Sequence, residues 1–188
     1  LKANKLSEDS VKMLLEEKRD MEIYSWRGKE KMHLSTMDSI LFYLKFLNTG
    51  VLSVNPGSGE IKAWVGGINY RFFKYDHVSK NSKRQVGSIF KPLVYASALE
   101  QGISPCKYID AEQKKFVENN EEWQPGNADN NYEGKYSFEG ALTESVNTVS
   151  VKVLEKAGIK STIHLANDMG IESDIPEVPS IALGTPSI

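Results

Sequence analysis

The sequence predicts a mixed α/β fold, in which an antiparallel sheet carries helices on its faces. Two strand-like runs, residues 51–55 and 60–65, flank a Pro-Gly-Ser-Gly tetrapeptide. Proline and glycine supply the backbone angles of a tight turn there, which predicts a hairpin. Segments with apolar residues at helical spacing lie on both sides of it, and segment 88–101 is apolar enough to be largely buried. With 188 residues, the chain suits one domain or a large part of one.

The first third of the chain predicts two helices before the hairpin. Residues 1–35 are interpreted as a linker with a leading helix, capped by Ser7, whose apolar residues from Leu6 onward follow a helical period. The rest of this segment is predicted to be a polar connection. Residues 36–188 are interpreted as part of one domain. Its first helix is predicted to start near residue 36, to pack its apolar face in a core, and to stop at Gly50.

After the hairpin the chain alternates between loops and helices. Residues 68–87 are polar, basic and aromatic, and a solvated surface loop is favoured over a nucleic-acid contact. Residues 103–136 are predicted to be rich in loops. Residues 137–157 predict two short helices with a polar break between them, and residues 159–170 predict one more helix.

Composition excludes several classes of function. The formal net charge of −2 is not that of a basic nucleic-acid-binding protein. A single cysteine, Cys106, allows no disulfide within the chain, and its sequence neighbours offer no activating setting. The three histidines lack the spacing of metal ligands, so we do not expect a metal site. We expect no organic cofactor either. No run of about 18 apolar residues is present.

The sharpest local signal is a serine at a predicted helix start with a lysine three residues later, Ser88 and Lys91. This spacing puts both side chains on one face of the helix, about one turn apart. An amine that is neutral can take the proton of the serine, and burial would lower the pKa of the lysine far enough to make it neutral. Pro92 fits only a first helical turn, which fixes the helix start near Ser88. Alone, the pattern also fits an N-cap serine beside a solvated lysine.

A second signal lies in the polar break at residues 145–147. Ser145 and Asn147 are two residues apart and can point the same way in an extended turn. The hydroxyl can then relay a proton, while the amide can hold a peptide carbonyl. Taken alone, the tripeptide also fits a simple polar break at which Asn147 starts the second helix.

In this order the two signals resemble the Ser-x-x-Lys and Ser-x-Asn motifs of β-lactamases and penicillin-binding proteins. Longer segments resemble the class A (bifunctional) penicillin-binding proteins, over about residues 35–188. These segments are the hairpin at 50–67, the Ser88 motif at 83–92, the Trp-Gln-Pro-Gly-Asn loop at 123–127, the second motif at 141–147, and Ala-Leu-Gly-Thr at 182–185. The resemblance implies the β-lactamase/transpeptidase-like fold of this family.

The resemblance also implies a role for each motif residue. Ser88 would attack the penultimate D-Ala carbonyl of a peptidoglycan stem peptide, with Lys91 as its base. Ser145 would pass the proton toward the leaving amine. An amine of a neighbouring stem peptide would then take the acyl group, which makes the chain part of a D,D-transpeptidase. The implied substrate-binding residues are Ser88, Trp123, Asn127 and Asn147.

Two alternatives stay open beside the transpeptidase. One is a β-lactam-binding sensor that acylates without turnover, and the other is a D,D-carboxypeptidase or β-lactamase that releases the acyl group to water. The second motif reads Ser-Val-Asn rather than the Ser-Asp-Asn of class A β-lactamases, which favours a synthase. β-Lactam antibiotics are expected ligands in each case.

The family resemblance places a third motif, Lys-Thr-Gly or Lys-Ser-Gly, after the segment at 182–185. Residues 1–188 contain neither tripeptide. We therefore expect a fragment whose C-terminal part of the domain is missing. We also expect a longer, membrane-anchored protein with a glycosyltransferase domain, located outside the cytoplasm on the periplasmic face of the inner membrane.

Overall fold

A capped helix opens the first of two compact units, Leu1–Ser82 and Lys83–Ile188. The computed structural model describes residues 7–118 and 120–188. Helix α1 (Glu8–Glu16) begins where Ser7 Oγ accepts a hydrogen bond from the backbone N–H of Ser10, at 3.3 Å. The predicted cap is therefore confirmed, whereas Leu6 lies outside the described residues.

A β-hairpin follows α1 where the sequence predicted a polar connection. Strands β1 (Lys18–Ser25) and β2 (Gly28–Ser35) pair antiparallel in a continuous register. The prediction of a polar connection is therefore wrong. Successive side chains of a strand point to opposite faces, so a highly charged segment can still form a strand. Its charged residues face solvent while Ile23, which is 1% exposed, packs inside. The many charges hid this alternation in the sequence.

Helix α2 (Thr36–Leu44) follows the hairpin directly. Ser35 and Asp38 form a reciprocal capping box at its start, which fixes the predicted beginning of the helix. The helix ends at Leu44, six residues before the predicted stop at Gly50. Leu44 and Leu47 are 75% and 86% exposed, so the prediction that this stripe lies in a core is wrong. The packed apolar contacts of the unit are made instead by aromatic rings: Tyr24, Phe42, Tyr43, Phe46, Phe72 and Phe73.

The predicted hairpin around Pro-Gly-Ser-Gly is confirmed. Strands β3 (Val51–Val54) and β4 (Ile61–Val65) pair antiparallel. Asn55 Oδ1 accepts hydrogen bonds from the backbone N–H groups of Gly57 and Ser58, at 2.9 and 3.2 Å, and so shapes the turn. The polar segment after β4 forms turns and loops up to Ser82, as predicted.

The second unit, Lys83–Ile188, is a packed helical core. Helices α3 (Lys91–Glu100) and α5 (Asn147–Ala157) each contribute more buried side chains than any other element of the unit, among them Val94, Ala98, Val149 and Leu154. The other helices are α4 (Phe138–Thr143), α6 (Ile159–Asp168) and two 3₁₀ helices, Gly87–Phe90 and Pro179–Leu183. The predicted break between α4 and α5 is confirmed, and α6 begins where the sequence predicts a helix.

Short strands join α3 to α4 in the stretch predicted to be rich in loops. Strand β5 (Ile109–Asp110) pairs with β8 (Lys135–Tyr136), and β6 (Phe116–Glu118) pairs with β7 (Glu121–Trp123). The predicted mixed α/β class is confirmed. Within residues 7–118 and 120–188, however, the strands form separate two-stranded antiparallel sheets rather than one larger sheet.

Candidate active site

Ser88 lies at the surface, in the 3₁₀ turn that leads into α3. Its side chain is exposed, whereas Phe90 two residues later is 2% exposed and anchors the turn in the core. Pro92 occupies the second position of α3, where its missing N–H costs no helical hydrogen bond. The turn is therefore anchored in the core and exposes the serine hydroxyl to solvent.

A backbone contact between two glycines fixes the position of this turn. Gly87 donates its backbone N–H to the carbonyl of Gly184 at 2.9 Å. Gly184 has φ +69°, and a Cβ at this position would lie 1.8 Å from the carbonyl oxygen of Gly87. The two backbones can approach this closely only because Gly184 carries no side chain. The Ala-Leu-Gly-Thr segment thus supports the residue directly before the serine.

Lys91, the first residue of α3, is fully buried at the base of the site. Its Nζ donates three hydrogen bonds: to the carbonyl oxygen of Ser145 (2.6 Å), to Ser145 Oγ (2.9 Å) and to Asn147 Oδ1 (2.7 Å). All three acceptors are neutral. Burial disfavours the ammonium form and lowers the pKa of Lys91 from 10.5 to about 8. A lysine with this pKa can serve as a proton acceptor near neutral pH.

Ser145 forms the break between α4 and α5 in a left-handed backbone conformation, with φ +54°. Few residues other than glycine adopt this conformation, and such residues often lie at functional sites. The conformation turns the carbonyl and hydroxyl of Ser145 toward Lys91. The hydroxyl also lies 3.1 Å from Ser88 Oγ. One side chain therefore makes hydrogen bonds with both the serine and the lysine of the first motif.

Asn147 is held between the lysine and a loop. Its Oδ1 accepts from Lys91 Nζ, and its Nδ2 donates to the carbonyl oxygen of Gly126 at 2.7 Å. Because the two ends of the amide have different partners, the orientation of the side chain is fixed. The structure thus brings together all four residues of the two predicted motifs.

The two remaining predicted site residues have internal partners. The ring of Trp123 packs against Phe116, with 6.1 Å between ring centroids. Asn127 is 8% exposed and makes hydrogen bonds with Asn131 and Thr148. Asn127 also lines a cavity of about 460 Å³ beside Ser145. Their assignment to substrate stays a prediction.

Sequence reasoning gave no role to three residues that the geometry places behind the motifs. Gly184 supports the Ser88 turn, the carbonyl of Gly126 holds Asn147, and Thr148 ties the start of α5 to Asn127. The glycines lie in segments already recognised as family-like, so their position beside the motifs was a usable signal. Nothing in the sequence distinguishes Thr148 from an ordinary helical threonine.

The described residues contain no group of three or more His, Cys, Asp or Glu side chains that could hold a metal ion. In the same part of the chain, no helix combines the length and the apolar character needed to cross a membrane.

Two family models match the chain. The family model for the penicillin binding protein transpeptidase domain matches residues 49–180, and the model for the penicillin-binding protein middle domain matches residues 1–47. The chain therefore belongs to the penicillin-binding protein transpeptidase family. The predicted division between residues 35 and 36 stays a prediction.

Relatives with curated names point to one branch of this family. The chain is 35% identical to Penicillin-binding protein 1A of Aquifex aeolicus over 141 residues, which cover 74% of this chain and 19% of that protein. It is 32% identical to Penicillin-binding protein 1A of Pseudomonas aeruginosa over 143 residues, covering 74% of this chain and 17% of that protein. The chain thus spans about a fifth of the length of these relatives.

Solved structures agree with this assignment. The crystal structure of Penicillin-Binding Protein 1A from Haemophilus influenzae matches with a TM-score of 0.71 and 25% identity, over 89% of this chain and 24% of that one. Penicillin-binding protein A from M. tuberculosis, in an imipenem acyl-enzyme complex, matches with a TM-score of 0.58 over 73% of this chain and 41% of that one. At 18% identity the second likeness concerns the fold alone.

Proposed function

We propose that this chain carries the acylating site of a serine D,D-transpeptidase that cross-links peptidoglycan stem peptides. One observation carries the proposal: hydrogen bonds connect Ser88 Oγ to Ser145 Oγ and Ser145 Oγ to Lys91 Nζ. An exposed serine is thereby linked to a buried amine whose pKa is lowered to about 8. A serine nucleophile connected to a base by hydrogen bonds is an arrangement that activates the serine for acyl transfer.

The first half-reaction forms the acyl-enzyme. As Ser88 Oγ attacks the penultimate D-Ala carbonyl carbon, its proton passes to Ser145 Oγ, whose own proton passes to neutral Lys91. Both hydroxyls can rotate to reverse the direction of their hydrogen bonds. The tetrahedral intermediate then collapses, the C–N bond breaks, and the proton returns through Ser145 to the leaving amine of the terminal D-Ala. The products are an ester on Ser88 and free D-Ala.

The second half-reaction repeats these steps with a different amine. The amine of a second stem peptide attacks the ester carbonyl and gives up its proton through Ser145 to Lys91. Ser88 then leaves and recovers a proton, which restores the site and yields a new peptide bond. Splitting the exchange into two acyl transfers is the advantage of covalent catalysis.

The substrates and setting of this activity are part of the proposal. Stem peptides ending in D-Ala-D-Ala are the proposed donors, and β-lactam antibiotics are proposed to acylate Ser88 in their place. The cavity of about 460 Å³ that Asn127 and Ser145 line is a candidate space for part of the donor peptide. We further propose that the site works outside the cytoplasm, in a membrane-anchored protein that also carries a glycosyltransferase domain.

Product analysis with a stem-peptide donor tests the proposal. The donor is incubated with the chain, and with a hybrid extended by the segment that follows the matched region in the Aquifex aeolicus protein. The hybrid supplies the third motif that the family resemblance places there. We expect free D-Ala together with a donor–acceptor peptide when an amine acceptor is present, and neither product from the Ser88→Ala variant.

Other products would favour the alternatives. D-Ala with only hydrolysed donor, even at high acceptor concentration, would indicate a carboxypeptidase. Rapid loss of benzylpenicillin without a stable adduct would indicate a β-lactamase. A stable penicillin adduct with no peptide product would indicate a sensor. If the hybrid formed neither an adduct nor a product, the proposal would be wrong.

A further inference from the structure

Helix α5 begins at Asn147 without a side-chain cap from its own N-cap residue, Val146. The first N–H groups of a helix have no partner within the helix and require one from elsewhere. Water cannot supply this partner to Thr148, the second residue of α5, because Thr148 is fully buried. A polar group from outside the helix must therefore meet its backbone N–H.

Asn127 supplies that group from 21 residues away. Its Oδ1 accepts the backbone N–H of Thr148 at 3.0 Å, and its Nδ2 donates to Thr148 Oγ1 at 3.2 Å and to the carbonyl oxygen of Asn131 at 2.7 Å. Thr148 Oγ1 in turn donates to the carbonyl oxygen of Ala111 at 3.0 Å. A neutral amide has two N–H donors, and both are used inside the protein. Asn127 cannot donate to a peptide carbonyl without breaking one of these bonds.

The residue before Asn127 acts on the same turn of α5. The carbonyl of Gly126 accepts from Asn147 Nδ2, which leaves Asn147 Oδ1 directed at Lys91. Two consecutive residues of one loop thus hold two consecutive residues of one helix. Moving Asn127 would move the Gly126 carbonyl as well, and with it the partner that orients Asn147.

We propose that Asn127 is a positioning residue of the acylation reaction, which caps α5 across the chain and thereby sets the orientation of Asn147 against Lys91. The proposal rests on the proposed function for its kinetic consequences, although not for its structural ones. It replaces a direct contact between Asn127 and substrate, the role that the family resemblance implied. It also means that the Trp-Gln-Pro-Gly-Asn loop holds Asn147 of the second motif in position.

The proposed role has a consequence for the proton of Lys91. Hydrogen-bond acceptors around an ammonium group favour its charged form. If Asn147 Oδ1 turns away, Lys91 loses one of its three acceptors, and its pKa falls below about 8. The midpoint of the pH profile of acylation would then move to lower pH. A loss of fold stability alone would not move it.

The structural test uses NMR on the chain itself, with the side-chain amide signals of Asn147 assigned by their absence in Asn147→Asp. Asn127→Ala should shift these signals and speed exchange of the Thr148 amide proton with solvent. Asn127→Asp keeps the acceptor for Thr148 but lacks the donors, so we expect an intermediate shift. Asn167→Ala, which removes an exposed amide on α6, is the matched control and should change neither signal.

The kinetic test measures acylation by benzylpenicillin against pH, in the chain or in the extended hybrid. We expect Asn127→Ala to reduce the plateau rate about 10- to 100-fold, the effect of a misplaced catalytic group, and to lower the pH midpoint. Asn127→Asp should fall between this variant and wild type, and it carries the test if Asn127→Ala does not fold.

Three results overturn the proposal, and each is distinct from a failure of the proposed function. The first is an Asn127→Ala variant with wild-type Asn147 signals. The second is an unchanged pH midpoint despite lower thermal stability. The third is a higher KM for the donor peptide at unchanged kcat, measured in the donor–acceptor assay with the hybrid. This result would indicate that Asn127 contacts the substrate directly. If neither form acylates at all, the proposed function fails while the NMR experiment still decides the role of Asn127.

Discussion

Replacing Lys91 by Met is expected to reduce the rate of Ser88 acylation by benzylpenicillin about 10³-fold, in the middle of the range for general-base catalysis. Methionine fills much of the same volume in the buried site, so the loss would reflect the missing amine rather than a cavity. The variant leaves the Ser145 carbonyl and Asn147 Oδ1 without their donor, which we expect to lower the thermal midpoint by only a few degrees.

The pH dependence of the acylation rate is a second test of Lys91 as the base. Below its pKa of about 8, Lys91 is protonated and cannot accept the proton of Ser88. The wild-type acylation rate should therefore rise about tenfold per pH unit at low pH and level off above about pH 8. This limb should vanish in Lys91→Met and persist in Lys156→Met, which removes an exposed lysine of α5. Normal acylation in Lys91→Met would rule out Lys91 as the base.

Replacing Gly184 by Ala should also disable the site, although residue 184 lies away from the reacting groups in sequence. The added Cβ would lie 1.8 Å from the Gly87 carbonyl oxygen and 2.5 Å from the Gly87 nitrogen. These are backbone atoms, so the Ser88 turn itself must move. We expect an acylation rate about 100-fold lower, since small displacements of a catalytic group have effects of this size.

A matched glycine separates this clash from simple backbone strain. Gly102, just beyond α3, has φ +77°, and a Cβ there would meet nothing within 4 Å. Gly102→Ala should therefore lower stability by about 1–2 kcal/mol, the cost of a left-handed alanine, and leave acylation unchanged. Equal effects of the two substitutions on the acylation rate would show that Gly184 has no specific role in supporting Ser88.

Local signals in the sequence predicted the parts of the site that lie within one turn of a helix or break. The spacing of Ser88 and Lys91 and the position of Pro92 predicted a helix start near Ser88. In the structure this start is a 3₁₀ turn (Gly87–Phe90) that leads into α3 at Lys91. The polar tripeptide at 145–147 predicted the break before α5. Each of these features depends on backbone preferences over a few residues, which are legible without knowledge of the tertiary structure.

Contacts between distant segments could not be predicted in this way. The sequence suggested direct proton transfer from Ser88 to Lys91, whereas the structure places the Ser145 hydroxyl within hydrogen-bond distance of both. The cap from Asn127 spans 21 residues, and the approach of Gly184 to Gly87 is set by packing of the second 3₁₀ helix beside the first. Such pairings follow from tertiary packing, which secondary-structure propensity and the periodicity of apolar residues do not predict.

The most direct test of the account is the mass of the protein after incubation with benzylpenicillin, followed by peptide mapping of the modified residue. It is made on the chain and on the extended hybrid, each with its Ser88→Ala variant. If Ser88 is the nucleophile, we expect a stable mass increase equal to one penicillin molecule, located on the peptide that contains Ser88 and absent from the variant. An adduct of the same size and yield on the Ser88→Ala variant would contradict this role of Ser88.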